Sequence, residues 1–454
     1  MTNSCFDPGT DEGYLNAALA TLADPFRRRL LSAAALTATG GALVAAGIPL
    51  PSLAASAGRA AGAIHAFTGI PVSTADAVML PEGYAVNLLY AWGDPISDGP
   101  RARADAGDDA AAQMQQAGMH HDGMHFFPFV ENGKPSSTHG LLCINHEYTD
   151  DGLLHSDGMQ NWNAGKVAKS KAAHGVSIIE IRRQTAGWQV VRPSRLARRI
   201  TADTPCRIGG PARGDEAMRT TTDRRGEFVL GTVNNCAMGA TPWGTYLTCE
   251  ENFNGYFKGP STPSADQKRY GLTETGFGFR WHEHDERFDA TRHPNELNRF
   301  GWVVEIDPWH PEQAPVKRTA LGRFKHEGAT VTLARDGRAV VYMGDDERFE
   351  YAYKFVSRDH YRAGNPGNAG LLDEGTLYVA RFGDDGKGRW LPLRHGEKYP
   401  NGALTADNGF SDQGDVVIRC RQAAARLPTS PEQPKWIARN GLRCIRKAAR
   451  FTSR

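Results

Sequence analysis

The chain has 454 residues, 40% of them hydrophobic, which is enough for a large buried core and excludes an intrinsically disordered chain. Its 53 basic and 51 acidic side chains leave a net charge of +2, so no global field draws nucleic acid or an anionic membrane. With 50 Gly, 26 Pro and a mean hydropathy of −0.48, the composition suits many turns and short strands, and an all-β fold is expected.

At the N-terminus, Arg27-Arg28-Arg29-Leu30-Leu31 precedes an Ala/Leu/Gly stretch, and Ala55-Ser56-Ala57 offers a small-residue cleavage site. This is the pattern of a twin-arginine export signal over residues 1–57. Gly40, Gly41, Gly47 and Pro49 dilute the apolar stretch and weaken it as a spanning helix. The expectation is therefore a periplasmic or secreted protein whose partners include the twin-arginine export machinery, with no stable membrane anchor and no nucleic acid. Residues 101–116, rich in Ala, Asp and Gln, read as a solvated polar loop or short helix.

From Pro81 onward, apolar runs of strand length alternate with Gly- and Asp-rich turns, at 141–144, 177–181, 228–233, 246–249, 302–306, 339–343, 377–380 and 416–418. Three of them end alike, in Asn145-His146-Glu147, in Glu250-Glu251-Asn252 and in Gly344-Asp345-Asp346-Glu347. Carboxylates that leave a strand together are costly to bury unless protonated, paired or metal-bound. Brought together they would form a hard-cation cage of the kind calcium takes, although turn residues capping strands in water would read the same way. Glu147, Glu250 and Asp346 follow one another at intervals of about 100 residues, near twice the roughly 40–50 residues of one propeller blade. Residues 281–299, with His282-Glu283-His284-Asp285-Glu286, read as a solvent-exposed charged loop.

Of the seven cysteines, Cys5 lies in the leader and no C-x-x-C pair suggests structural zinc. Cys143 and Cys249 sit in apolar runs, where a thiol behaves as a small buried hydrophobe. Cys236 stands apart in Asn234-Asn235-Cys236-Ala237-Met238-Gly239, a polar turn where a thiolate beside carboxylates would make an iron-compatible donor set, or where the Cys is a bystander. Lys325-His326-Glu327-Gly328 puts three ionisable groups at one turn. The chain lacks a G-x-S-x-G elbow, a Walker loop and an H-E-x-x-H helix, which leaves metal-assisted chemistry.

The block from Asn234-Asn235-Cys236 through Thr241-Pro242-Trp243-Gly244-Thr245 to Thr248-Cys249-Glu250-Glu251-Asn252 resembles the signature of PhoX-type alkaline phosphatases. Pro81-Glu82-Gly83-Tyr84, Asn145-His146-Glu147-Tyr148, Lys325-His326-Glu327-Gly328 and Tyr342-Met343-Gly344-Asp345-Asp346 extend the resemblance over roughly residues 81–419. It implies a six-bladed β-propeller over residues 58–430 whose central cluster of iron and calcium removes phosphate from phosphate monoesters. It further implies Cys236 as a thiolate on iron, Glu327 as a carboxylate on iron, Glu250 and Asp346 as calcium or bridging ligands, and Glu147 as a further ligand.

One stretch departs from the family pattern. Where the family carries Asp-Arg-Pro-Glu-Trp, this chain reads Glu432-Gln433-Pro434-Lys435-Trp436, followed by a basic tail, so that residues 431–454 read as divergent and the last blade as incomplete. A neutral amide would replace a phosphate-binding cation, and a cation would replace a metal carboxylate. The expected function is an exported phosphomonoesterase. The alternative is a catalytically weakened propeller that binds calcium or a ligand without turnover.

Overall fold

The structure, a computed structural model, describes residues 69–382, 387–399 and 402–427. The expected export signal, Cys5, Cys444, the 432–436 stretch with Gln433 and Lys435, and the basic tail lie outside the described residues. The chain divides after Val86 into two units. Of the first, residues 69–86 are described and hold turns and bends without helix or strand.

The second unit is mostly β, with three sheets and little helix. Its first sheet follows α1 (Ala110–Gln113) and contains β1 (His121–Glu131), β2 (Lys134–His146), β3 (Gly175–Gln184) and β4 (Gly187–Val190), in that order. Helices α2 (Asp151–Leu154) and α3 (Ala164–Ala173) separate β2 from β3, and β5 (Arg198–Ile200) also pairs with β3. The second sheet takes β6 (Pro205–Gly209), β7 (Phe228–Leu230), β8 (Asn235–Ala240), β9 (Tyr246–Glu250), β10 (Val303–Ile306) and β11 (Val316–Arg318). Their order is β7-β6-β11-β10-β9-β8, antiparallel except between β6 and β11. The third is a meander of β12 (His326–Leu333), β13 (Arg338–Asp345), β14 (Ala352–His360), β15 (Gly375–Phe382) and β16 (Gly388–Pro392). A hairpin of β17 (Lys398–Tyr399) and β18 (Gly402–Ala403) follows. Helix α4 (Ala265–Arg269) lies between β9 and β10, and α5 (Gln413–Ile418) and α6 (Cys420–Ala425) close the described chain.

Alternation along β9 shows how the sheets pack. Tyr246 joins Leu141, Cys143, Val176 and Ile178 in the core against the first sheet. Leu247 and Cys249, pointing the other way, join Val341, Met343, Phe355 and Leu377 of the third. Cys143, Cys206, Cys249 and Cys420 are buried free thiols, as expected of small core residues.

Two sequence expectations need correction. Residues 416–418 are helical: the Asp412 side chain accepts from Asp415 N at 2.9 Å and caps α5. Val416 packs in one core while Val417 and Ile418 pack in another, so all three are buried without a strand's alternation. Tertiary packing outweighs the β-branched preference here. Residues 281–299 are only in part the exposed loop expected: Glu283, His284 and Glu286 are exposed, but Trp281, Phe288 and Leu297 anchor this part of the β9–β10 connection in an aromatic core. Among the described residues, no helix is long and apolar enough to cross a membrane.

Candidate metal centre

Three hairpins, one from each sheet, bring their open ends together: β1–β2, β8–β9 and β12–β13. In each, the ladder slips by one residue close to that end. Asp122 and Gly123 together face Asn145, because His121 pairs with His146 and Met124 with Ile144. Cys236 and Ala237 face Cys249 in the same way, between the pairs Asn235–Glu250 and Met238–Thr248. In the third hairpin the extra residue is Gly328, directly after Glu327. A bulge re-aims the neighbouring side chain, and here it does so three times. Strand β8 touches β1 on one side and β12 on the other. Two glycines permit that approach: a Cβ on Gly123 would meet Cys236 O at 2.8 Å, and one on Gly239 would overlap Ala329 O.

The result is a cluster of one thiol and four carboxyls. Ligand atoms of Glu147, Cys236 and Glu251 lie within 4.8 Å of one another, and so do those of Glu251, Glu327 and Asp346. Cys236 Sγ donates to Glu327 Oε2 at 2.8 Å, and the Glu251 and Asp346 carboxyls share a hydrogen bond. Burial pushes Glu147 up to about 7, with Asp122, Glu327 and Asp346 adding to the shift. Burial likewise lifts Glu327 to about 7 against the lowering effect of the Cys236 hydrogen bond. Burial and then Glu327, Asp346 and Glu147 raise Glu251 above the ordinary carboxylate range, and burial raises Asp346 against the lowering hydrogen bond with Glu251. Burial, reinforced by Glu327 and Glu251, holds the Cys236 thiol protonated. Lys325 is the cation that faces Glu251 and Asp346, and it is already paired with Glu347 at 2.5 Å. Acidic groups packed this closely need protons or cations, and a thiol with carboxylates is a donor set that takes both soft and hard metal ions.

At each strand end, adjacent residues split between scaffold and site. Asn145 and His146 are buried in the scaffold, His146 Nε2 lying 2.6 Å from Ser177 Oγ, while Glu147 enters the cluster. His326 donates to Gly322 O at 2.9 Å while Glu327 turns inward. Asp345 is held by Arg421 at 2.7 Å while Asp346 turns inward. The structure thus unites Cys236, Glu327, Asp346 and Glu147. It places Glu250 outside the cluster, where its carboxylate accepts from Lys317 Nζ at 2.7 Å, Gly301 N at 2.9 Å and Trp302 N at 3.0 Å and is paired with a buried ammonium. Glu251 takes the place expected of it. The sequence reading also passed over Asp122, whose charge raises Glu147, Cys236 and Glu327; its signal was a carboxylate followed by glycine inside a strand, which marks a bulge.

Asn145 ties the first two hairpins together. Its Nδ2 donates to Cys236 O at 2.5 Å and Ala237 O at 3.1 Å, and its Oδ1 accepts from Thr248 Oγ1 at 2.9 Å. Asn145→Ala leaves several buried polar atoms without partners, so a loss of about 3 kcal/mol is expected in denaturant unfolding, with weaker metal retention. Unchanged stability and metal content would show that the hairpins are held by packing alone.

A family model described as "Alkaline phosphatase PhoX" matches residues 65–444. Among solved structures, that of Pseudomonas fluorescens PhoX in complex with vanadate, a transition state analogue, is 48% identical with a TM-score of 0.76. The match covers 80% of this chain and 63% of the other, so the chain spans less than two thirds of that protein's length. No curated protein matches the chain. A family model that runs through every strand of the three sheets, together with that level of identity, establishes that the chain belongs to the PhoX alkaline phosphatase family.

Proposed function

We propose that this protein is an exported alkaline phosphomonoesterase that releases phosphate from organic phosphate monoesters. In this reading Glu147, Cys236, Glu251, Glu327 and Asp346 hold an iron and calcium cluster. The observation that carries it is the convergence of one thiol and four charge-starved carboxyls at three hairpin ends, in a chain of this family. Bound cations would neutralise the phosphate oxygens, spread the charge of an in-line transition state and activate an oxygen nucleophile.

The chain's own residues supply the rest. Cys236 offers the soft donor suited to iron, and the carboxylates offer hard donors suited to calcium. The bulges fix the angles at which Cys236 and Glu327 enter. Lys325, paired with Glu347, lies beside Glu251 and Asp346 and lowers the pKa of both. That the related structure is in complex with vanadate, a transition state analogue, supports phosphatase chemistry in this reading. We further infer that the three sheets belong to the radial, six-bladed propeller implied by the resemblance, and that the twin-arginine signal sends the protein to the periplasm or beyond.

The test is phosphate release from an aryl phosphate at alkaline pH, with protein matured through its own export route and supplied with iron and calcium. Chelation is expected to abolish turnover. Cys236→Ala should lose iron and at least roughly 100-fold in turnover. Undiminished turnover in Cys236→Ala would overturn the iron-thiolate assignment. The change at Gln433 and Lys435 favours a second reading, a metal-binding protein without turnover, which folded, metal-loaded and inactive protein would establish.

A further inference from the structure

At the far end of β13 from the metal centre, a cavity of about 830 Å³ lies between the second and third sheets. Arg338, in its wall, begins β13, and Asp345 ends the strand. At about 3.3 Å per residue the two ends are roughly 23 Å apart, so the cavity shares no group with the metal cluster. The apolar part of its floor is formed by two half-buried valines, Val316 and Val356. Five arginines stand around it: Arg207, Arg213, Arg338, Arg358 and Arg394.

Three of these are neutralised. Arg213 pairs with Glu227 at 2.9 Å, Arg338 with Asp336 at 2.8 Å, and Arg358 with Asp359 at 3.0 Å and with Glu374. The two carboxylates in the wall are also taken, Glu374 by Arg358 and Asp373 by Arg318 at 2.7 Å. Among the described residues, Arg207 and Arg394 have no carboxylate at ion-pair distance. Arg394 is aimed by Thr376, whose Oγ1 accepts from its Nε at 3.2 Å and from one Nη at 2.7 Å. Two uncompensated guanidinium forks over an apolar floor match a dianion carried on an apolar or planar body. The volume falls in the range of small-molecule sites.

We propose that this cavity is a second, non-catalytic binding site for a phosphorylated organic molecule of about mononucleotide size. Arg207 and Arg394 grip the phosphate dianion, and the body lies on Val316 and Val356. The site is independent of the phosphatase reading, because none of its residues belongs to the metal cluster.

The probe is the non-hydrolysable phosphonate analogue of adenosine monophosphate, titrated calorimetrically into the metal-loaded protein. Its binding to the cavity should weaken at least about tenfold in Arg207→Ala/Arg394→Ala, and partly in Arg394→Gln. Aryl phosphate hydrolysis should be the same in all three proteins. Absent hydrolysis in all three would count against the phosphatase reading and leave the binding comparison intact. Equal affinity for wild type and the double variant would overturn the proposal. So would inorganic phosphate binding as tightly as the phosphonate, because the apolar floor would then contribute nothing.

Discussion

Glu251→Gln is expected to lower phosphomonoester turnover by roughly 100- to 1,000-fold while leaving the metal-free protein as stable as before or more so. Glu250→Gln is expected to unfold easily. The two carboxylates are adjacent in sequence and differ only in what they face. Glu251 looks into the cluster, where burial and then Glu327, Asp346 and Glu147 raise its pKa, so a neutral amide there removes the cost of ionising a buried carboxyl and deletes a ligand common to both groups of donors. Glu250 is fully buried against Lys317, which itself donates to Arg299 O at 2.9 Å and lies 4.0 Å over the Phe300 ring. A neutral amide at 250 leaves that ammonium buried beside no charge, at a cost of roughly 3–5 kcal/mol. Urea unfolding of the metal-free variants, alongside metal content and turnover of the loaded ones, separates the two roles. Normal stability with lost metal in Glu250→Gln, and full turnover in Glu251→Gln, would reverse the assignment.

The same pair shows how far the site could be read from the sequence. Acidic residues at the ends of apolar runs mark three of the six strands that build the centre, and Cys236 stands out by its polar neighbours, although it lies in a bulge of β8 and not in the turn expected. Which member of each acidic pair serves the site depends on what lies opposite. For Glu250 that is Lys317, and for Asp345 it is Arg421, both more than 60 residues away along the chain. No local pattern encodes such partners. The bulges at Asp122 and Cys236 are equally silent, since the slip appears only once Asn145 and Cys249 are known to face them. In the fold, runs such as 339–343 became strands because one face, with Val341 and Met343, meets a core between paired neighbours β12 and β14. The run at 416–418 became helix because Asp412 caps it and cores meet it on more than one side. Periodicity reports the number of buried faces, and only the assembled sheets decide that number.

Metal loading is expected to release about three protons at pH 7, and affinity to fall by at least roughly 1,000-fold between pH 7 and pH 6. Each ligand must be deprotonated to bind, and in the metal-free protein each is held above its ordinary pKa. Near pH 7 Glu147 and Glu327, both at about 7, are together short of one charge. The hydrogen-bonded Glu251–Asp346 pair holds another proton, and the Cys236 thiol a third. Because these folded-state pKa values are raised, protons compete with the cation below the window and give way as pH rises through it. Three buried histidines drop out of the count: burial holds His174 near 4, His326 near 3 and His146 well below its usual value, so these three stay neutral from pH 6 upward. Calorimetric titration of calcium and iron in buffers of different ionisation enthalpy counts the protons directly. Glu251→Gln should release about one fewer. A cluster that loads without releasing protons, with affinity flat from pH 6 to pH 8, would mean that these carboxyls are ionised and separated in solution, and the five residues would not be the metal site.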